Sequence, residues 1–247
     1  MSFRVGTFIL TPTVFFLPMA LAFFFVVSFQ RLHPGVLPSR RQAGLALAGA
    51  AIAGVVGAWA NGVLGAGQHL DPLHSWLALR FGSFGGYWGA LAGAMACAAL
   101  VRTSPMRVAD ALVPGLLIGG SVARLGCLFT GCCRGIWIGP IPGAGFQPFR
   151  PWPVYDIAAL LLTLAVILVV SRKHRKGQTP GLSLCLLLTV YGVLRFMLEF
   201  LRDLDPLLFR LTAGQMTACL QVAVGIALFA RLRQQTCRAD ISPADPV

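Results

Sequence analysis

Long apolar segments, separated by short polar or basic ones, occupy most of the chain. Seven of them approach the ~20 apolar residues that a helix needs to cross a bilayer. They are residues 10–29, 43–65, 84–101, 108–128, 153–171, 181–201 and 212–230. Helices satisfy their own backbone hydrogen bonds in hydrocarbon, so helical spans are expected for such segments. The pattern predicts an all-α, polytopic membrane protein built as a bundle of seven transmembrane helices.

The composition favours one integral membrane domain over residues 1–247. Hydrophobic residues make up 57% of the chain and charged residues only 11%, whereas a soluble domain has about 25% charged residues. The first apolar segment lacks a preceding basic run and a small-residue cleavage site, so we expect an uncleaved helix rather than a signal peptide. From about residue 231 onward we expect a short basic tail.

Two of the apolar segments, residues 43–65 and 84–101, are rich in Gly and Ala. Small side chains allow helix backbones to approach closely in a membrane bundle. These segments are therefore predicted to make close helix–helix contacts.

The formal net charge of +12 comes mostly from short segments between the apolar runs. This distribution argues against a nucleic-acid interface, which would need basic residues on one face of a soluble module. Cytoplasmic loops are enriched in Lys and Arg, and an orientation with the N-terminus outside and the C-terminus inside puts 12 of the 20 basic residues on that side. These are Arg31, Arg40, Arg41, Arg102, Arg107, Arg172, Lys173, Arg175, Lys176, Arg231, Arg233 and Arg238.

Two arginines fall inside predicted spans, Arg124 in the fourth and Arg195 in the sixth. An arginine near the middle of a membrane helix costs at least about 2.5–3.5 kcal/mol, so it usually has a partner or a function. The alternative is that either helix ends early and its guanidinium reaches the headgroups by snorkelling.

Arg195 belongs to a polar stripe in the stretch "YGVLRFMLEFLRD". Tyr191, Arg195, Glu199 and Arg202 follow at i, i+4, i+8 and i+11, and at 100° per residue they fall within an arc of about 80°. The stripe predicts the wall of a polar cavity, or alternatively a self-neutralising salt bridge that holds helices together. Because arginine presents a planar fork of donors suited to phosphate, two of them near the outer leaflet predict a phospholipid headgroup as ligand.

Three cysteines, Cys127, Cys132 and Cys133, lie between Arg124 and Arg134 in "RLGCLFTGCCRG". They are candidate reactive thiols, because neighbouring cations favour the nucleophilic thiolate. A structural disulfide, inert thiols and a zinc site are the alternatives, although the Cys-x4-Cys-Cys spacing is not typical of zinc ligands. No metal or cofactor is predicted.

Four segments resemble motifs of the prolipoprotein diacylglyceryl transferase family. "DALVPGLLIGGSVARLGCLFTGCCRG" is similar to the signature Gly-Arg-x-Gly-Asn-Phe-x-Asn-x-Glu-x-x-Gly, with matches at Arg124, Gly126 and Gly135. "PWPVYDIAAL" is similar to Pro-x-Gln-Leu-Tyr-Glu, with Tyr155 and Asp156 at the last two places. "YGVLRFMLEFLRD" closely resembles Tyr-Gly-x-x-Arg-Phe-x-x-Glu-x-x-Arg, and "LTAGQMTACL" resembles the Gly-Gln stretch that opens the family's last helix.

The resemblance covers about residues 75–230 and implies seven membrane helices with the N-terminus outside. It implies transfer of diacylglycerol from phosphatidylglycerol to the lipobox cysteine of a preprolipoprotein, at the bacterial inner membrane. The implied catalytic residues are Arg124, Arg195, Tyr191 and Glu199. The implied substrate-binding residues are Arg202, Tyr155, Asp156, Gly126, Gly85, Gly86 and Gln215.

The chain also departs from the family pattern. Cys127 and Thr130 stand where the signature has asparagines, and Cys132 where it has glutamate. "SFGGYWG" aligns with the family's Phe-His-Gly-Gly segment, but Phe84 occupies the place of the histidine that is the usual candidate for deprotonating the acceptor thiol. The candidates for a substitute base are His69, His74, Asp156 and Glu199.

Two other functions stay open at this point. One is a non-catalytic phospholipid-binding or lipid-moving protein on the same fold, and the other is a thiol-redox membrane protein. The second should depend on Cys132 and Cys133 but not on Arg195.

Overall fold

The computed structural model describes residues 3–5, 8–10, 13–33, 35–64, 83–130, 135, 151–173, 179–202 and 211–241. Within them a helix lies over each of the seven predicted segments. The helices are α1 (Thr13–Leu32), α2 (Arg40–Leu64), α3 (Ser83–Leu100), α4 (Pro105–Thr130), α5 (Trp152–Lys173), α6 (Leu182–Glu199) and α7 (Ala213–Ile241). Among the described residues, six of these helices, all but α3, are long and apolar enough to cross a membrane. The protein is therefore a multi-pass, helical membrane protein.

The two ends of the chain differ from the sequence-based expectation. Residues Phe3–Val5 (β1) and Phe8–Leu10 (β2) form a short antiparallel hairpin, with Phe3 opposite Leu10. Leu10 therefore belongs to a strand and not to the first helix, which begins at Thr13. At the other end, α7 continues past Arg231 to Ile241, so the stretch expected as a basic tail begins as helix.

Local sequence explains several helix starts. Ser39 precedes α2, and its Oγ accepts a hydrogen bond from the backbone N–H of Arg41 at 3.2 Å, as an N-cap residue does. Pro105 opens α4 and Pro153 lies in the first turn of α5. Proline is tolerated there because the first helical N–H groups have no acceptor within the helix.

Large apolar side chains are exposed along most of the helices, which is the pattern expected when lipid is the solvent. Examples are Phe15 on α1, Ile52 on α2, Leu162 on α5 and Leu220 on α7, which are 62%, 68%, 52% and 66% exposed. The polar groups of α6 are buried instead. Apolar side chains thus face outward on most helices, whereas Arg195 and Glu199 of α6 are buried.

The described chain divides into two compact units. One comprises Phe23–Leu116, here called the glycine unit, and the other comprises Met1–Ala22 with Leu117–Val247, here called the arginine unit.

In the glycine unit, α2 and α3 pack through small residues. A methyl group added at Gly85 or at Gly89 would overlap the backbone of Gly57 or Ala53. Gly85, Gly89 and Gly93 follow at intervals of four, so they lie on one face of α3. The close approach predicted from the Gly- and Ala-rich segments is confirmed.

This contact gives a stability prediction. The Gly85→Ala variant is expected to lower the free energy of unfolding by about 1–3 kcal/mol, as overpacking of a tight contact does, because its methyl group would meet the Gly57 carbonyl. Gly86→Ala is the matched control, since its methyl group would stand at an ordinary 3.5 Å from the Ala58 Cβ. Thermal unfolding of both variants in detergent micelles measures the difference. Equal unfolding temperatures for the two variants would contradict the predicted packing.

In the arginine unit, α6 packs against α7 and presents an unusual polar face. Tyr191, Arg195 and Glu199 are buried, whereas Val193 and Met197 are 45% and 56% exposed. The segment Leu187–Tyr191 is π-helical, a local widening that is frequent at functional sites. The stripe predicted from the sequence thus faces the interior of this unit.

Candidate functional site

The site lies where the ends of four helices of the arginine unit come together. Arg124 is in the C-terminal part of α4, and Asp156 is in the second turn of α5. Arg195 and Glu199 are in the last turns of α6, and α7 begins next to Glu199. Alternating helix direction therefore brings the polar ends of these helices to the same side.

Arg124 is joined to α5 and α6 through one carboxylate. Its Nε lies 2.6 Å from Asp156 Oδ2, and the Tyr191 hydroxyl donates a hydrogen bond of 3.1 Å to Asp156 Oδ1. Arg124 is only 7% exposed and Asp156 is fully buried. A buried, ion-paired guanidinium is not a snorkelling one, so that alternative for Arg124 is wrong.

A second carboxylate, Glu199, pairs with the other two arginines. Its Oε2 accepts a hydrogen bond from Arg195 Nη1, and its Oε1 lies 3.5 Å from Arg202 Nη1. Arg195 and Glu199 are 4% and 2% exposed. The internal salt bridge that the sequence offered as an alternative is therefore present, within a larger set of charges.

Glu199 also meets the N-terminus of α7. The Thr212 hydroxyl donates to Glu199 Oε1 at 3.4 Å, and a methyl group added at Gly214 would overlap the Glu199 carboxylate. Thr212 and Gln215 form a capping box, in which the Gln215 N–H donates to Thr212 Oγ1 and Gln215 Oε1 accepts from the Thr212 N–H. The positive end of the α7 dipole thus adds to the attraction that holds the Glu199 carboxylate.

The three guanidinium groups converge on a single aromatic ring. The Cζ atoms of Arg124, Arg195 and Arg202 lie 5.0, 4.7 and 4.8 Å from the ring centroid of Trp152, within the range of a cation–π interaction. Trp152 is fully buried, and its Nε1 donates a hydrogen bond of 3.1 Å to the Leu198 carbonyl on α6. We call these three arginines the arginine cluster.

In the part of the chain that the structure describes, arginines outnumber carboxylates at this site. Among the described residues, its three guanidinium groups are ion-paired with two carboxylates, those of Asp156 and Glu199. Four of these five charged side chains are buried, and the Arg202 side chain is 23% exposed. Buried charge is unfavourable unless it is compensated, so the arrangement is suited to an anionic ligand.

Comparison with known proteins gives the chain a family. The sequence profile described as prolipoprotein diacylglyceryl transferase matches residues 74–231, a range that contains the whole arginine cluster. This chain belongs to the prolipoprotein diacylglyceryl transferase family. The resemblance drawn from the four motifs is thereby confirmed.

Individual family members support the assignment at moderate identity. Curated proteins called phosphatidylglycerol–prolipoprotein diacylglyceryl transferase are 31% identical over 137 residues in Dehalococcoides mccartyi, covering 51% of this chain and 52% of that protein. The Chromohalobacter salexigens protein is 32% identical over 163 residues, covering 61% and 60%. In Chlorobaculum tepidum the match is 27% over 196 residues, covering 69% and 66%. The chain thus spans about half the length of the first of these relatives.

The structure brings most of the family-implied site residues into one network. The direct members of this network are Arg124, Arg195, Tyr191, Glu199, Arg202 and Asp156. Gln215 is connected to it through Thr212. Tyr155 is 40% exposed and points about 100° around α5 from Asp156. Gly126 allows close packing with α1, since a methyl group there would stand 3.0 Å from Phe16 Cβ. Gly85 and Gly86 contact α2 within the glycine unit.

The candidate thiols and bases are described only in part. Cys127 is a partly buried thiol on α4. Cys132, Cys133, His69 and His74 lie outside the described residues.

Sequence reasoning missed two residues of the site, Trp152 and Thr212. Trp152 stands four positions before Asp156 at the start of a helix, so both share one face of α5. Thr212 stands three positions before Gln215, the spacing of a capping box. Both signals were present in the sequence.

Proposed function

We propose that this chain is a phosphatidylglycerol–prolipoprotein diacylglyceryl transferase of the bacterial inner membrane. It would transfer diacylglycerol from phosphatidylglycerol to the lipobox cysteine thiol of a preprolipoprotein. The observation that carries the proposal is the convergence of Arg124, Arg195 and Arg202 on Trp152, where two carboxylates among the described residues pair with these three arginines. The names of the curated relatives add support.

The reaction requires stabilisation of a leaving phosphate. The acceptor thiol gives its proton to a base, and the thiolate attacks the glycerol carbon that carries the phosphate. A carbon–sulfur bond forms while the carbon–oxygen bond to phosphate breaks, and glycerol phosphate leaves with the electron pair. Arg124 and Arg195 would act as preorganised cations for the charge that develops on the phosphate oxygens.

The remaining residues would hold and orient these cations. Glu199 and Asp156 fix Arg195 and Arg124, and Tyr191 orients Asp156 through its hydroxyl. Because both carboxylates are engaged with arginines, a base from outside the cluster is favoured, and His69 and His74 are the candidates that the sequence offers.

We further assign residues that contact the lipid at the edge of the site, and cysteines of the protein as alternative acceptors of the diacylglyceryl group. The exposed ring of Tyr155 would border the acyl chains, while Arg202, at the partly exposed edge of the cluster, would meet the headgroup. Gly126, Gly85, Gly86 and Gln215 keep the substrate-side roles that the family motifs imply. Cys127, Cys132 and Cys133 are candidate acceptors on the protein itself.

We propose seven membrane passes, with the N-terminus outside, as parts of a single membrane domain. The basic residues Arg172 of α5 and Arg231 and Arg233 of α7 stand in the halves of these helices that are remote from the arginine cluster. Because basic residues favour the cytoplasmic side, the cluster would lie toward the outer leaflet, where a secreted acceptor arrives.

The test is direct transfer by the purified chain in vesicles. Phosphatidylglycerol with a labelled diacylglycerol part is incubated with a lipobox peptide, and both peptide and protein are analysed by mass spectrometry. A diacylglyceryl adduct on the peptide cysteine is the expected result, and a cysteine-to-serine peptide is the control. Phosphatidylglycerol binding without any adduct would overturn the proposal in favour of a lipid-binding protein. An adduct on the protein alone would assign the acceptor to its own cysteines.

A further inference from the structure

Three guanidinium groups of like charge share the space around Trp152, although they are paired with only two carboxylates among the described residues. An added carboxylate would also gather these groups, but it would lower by one unit the positive charge offered to an anionic ligand. An aromatic ring attracts cations through its quadrupole without adding a formal charge. A buried tryptophan can therefore hold the arginines together without lowering the positive charge of the cluster.

The position of Trp152 suits that task. Its ring is fully buried, and its Nε1 is hydrogen-bonded to the Leu198 carbonyl, next to Glu199. On α5 it stands one helical turn before Asp156, the partner of Arg124. The indole is thus fixed between the two helices whose carboxylates pair with the arginines, and cation–π attraction is stronger in such a desolvated place.

We propose that Trp152 is a positioning residue, whose indole face holds the guanidinium groups of Arg124, Arg195 and Arg202 in the arrangement that receives the lipid phosphate. The proposal rests on the proposed function for its substrate. It names a residue that the family motif leaves open, because Trp152 occupies the variable place of Pro-x-Gln-Leu-Tyr-Glu.

The alternative is that Trp152 only fills space between α5 and α6. A space-filling role depends on apolar volume, so the losses in the leucine and phenylalanine variants would follow the lost volume and differ only slightly. A cation–π role depends on the electron density of the ring, so phenylalanine would retain part of it and leucine none.

The first experiment compares Trp152→Phe and Trp152→Leu in the full chain, with Trp59→Leu on α2 as the matched control. We expect Trp152→Leu to lower kcat/KM for phosphatidylglycerol about tenfold or more, and Trp152→Phe to lower it clearly less. Trp59→Leu is expected to leave it unchanged. Equal losses in the Phe and Leu variants would overturn the proposal.

The second experiment changes the ring's electrons and little of its size. Mono-, di- and tetrafluorotryptophan are inserted at position 152 by codon suppression, and affinity for phosphatidylglycerol in phosphatidylcholine micelles is measured beside transfer. Each added fluorine withdraws density from the ring face, so affinity and kcat/KM should fall stepwise, with the unfolding temperature nearly constant. Values that do not depend on fluorine number would overturn the role assigned to Trp152.

The two readouts separate this inference from the proposed function. If the parent chain binds phosphatidylglycerol without transferring it, and binding falls with fluorination, the role of Trp152 holds and the transferase proposal fails. If transfer occurs but neither readout follows fluorination, the transferase proposal holds and the role of Trp152 fails. A parent chain that neither binds nor transfers contradicts both.

Discussion

The Arg124→Ala variant is expected to lower kcat/KM for diacylglyceryl transfer by about 100-fold or more, the size of effect seen when one preorganised donor to a developing anion is removed. Arg124 pairs at 2.6 Å with Asp156 and faces Trp152. The substitution removes a cation that we assign to the phosphate. Arg124→Lys should recover only part of the rate, because lysine keeps the charge but not the planar fork. Steady-state transfer from labelled phosphatidylglycerol to a lipobox peptide measures both.

Loss of Arg124 also leaves Asp156 buried without its counter-ion, which destabilises by about 3–5 kcal/mol when one partner of a buried pair is removed. The double variant Arg124→Gln/Asp156→Asn separates folding from function, since it removes both charges and keeps an oxygen for the Tyr191 hydroxyl. Its unfolding temperature should return toward that of the parent while transfer stays low. Arg107→Ala, at an exposed position of the same helix, is the matched control and should transfer normally. A double variant that transferred at the parent rate would show that Arg124 serves only to neutralise Asp156.

The polar face of α6 could be predicted because it depends on one helix. Tyr191, Arg195 and Glu199 recur at helical intervals among apolar residues, and in lipid such a face has to turn inward. The partners in α6 itself also follow from spacing, since Arg195 and Glu199 stand at i and i+4. Helical periodicity alone therefore indicated which side of α6 belongs to the site.

The partners that come from other helices could not be derived in the same way. The Arg124–Asp156 pair joins α4 to α5, and no local pattern specifies which carboxylate meets which arginine. The motif order of the family suggested both residues but not their contact. The sequence placed Tyr191 on the polar stripe, but it did not indicate that the Tyr191 hydroxyl donates a hydrogen bond to Asp156 on α5.

Trp152 shows how a membrane setting can hide a functional residue. A tryptophan at the start of a membrane helix ordinarily indicates the aromatic belt at the interface, where its ring would be partly wet. Here the ring is fully buried, because α6 supplies a carbonyl for its N–H and three guanidinium groups surround it. Burial depends on how the helices assemble, and hydropathy does not contain that information.

The Glu199→Gln variant is expected to lower kcat about 100-fold while KM for phosphatidylglycerol stays the same or falls. Glutamine keeps the shape and an oxygen that can accept from Thr212, but it cannot neutralise Arg195 and Arg202. The net charge of the site becomes more positive by one unit, which strengthens its attraction for an anionic headgroup. The guanidinium groups at the same time lose the carboxylate that fixes their geometry, so the stabilisation of the leaving phosphate falls.

Two companion variants decide between this account and direct contact of Glu199 with substrate. Glu199→Gln/Arg202→Gln restores the net charge of the site to its parent value, so KM should return to the parent value while kcat stays low, because Arg195 still lacks its carboxylate. Thr212→Val removes the hydroxyl that donates to Glu199 and caps α7, and it should lower kcat far less than loss of the carboxylate does. If Glu199→Gln instead raised KM strongly with kcat unchanged, Glu199 would be a headgroup ligand. The net charge of the site would then not be what attracts the lipid.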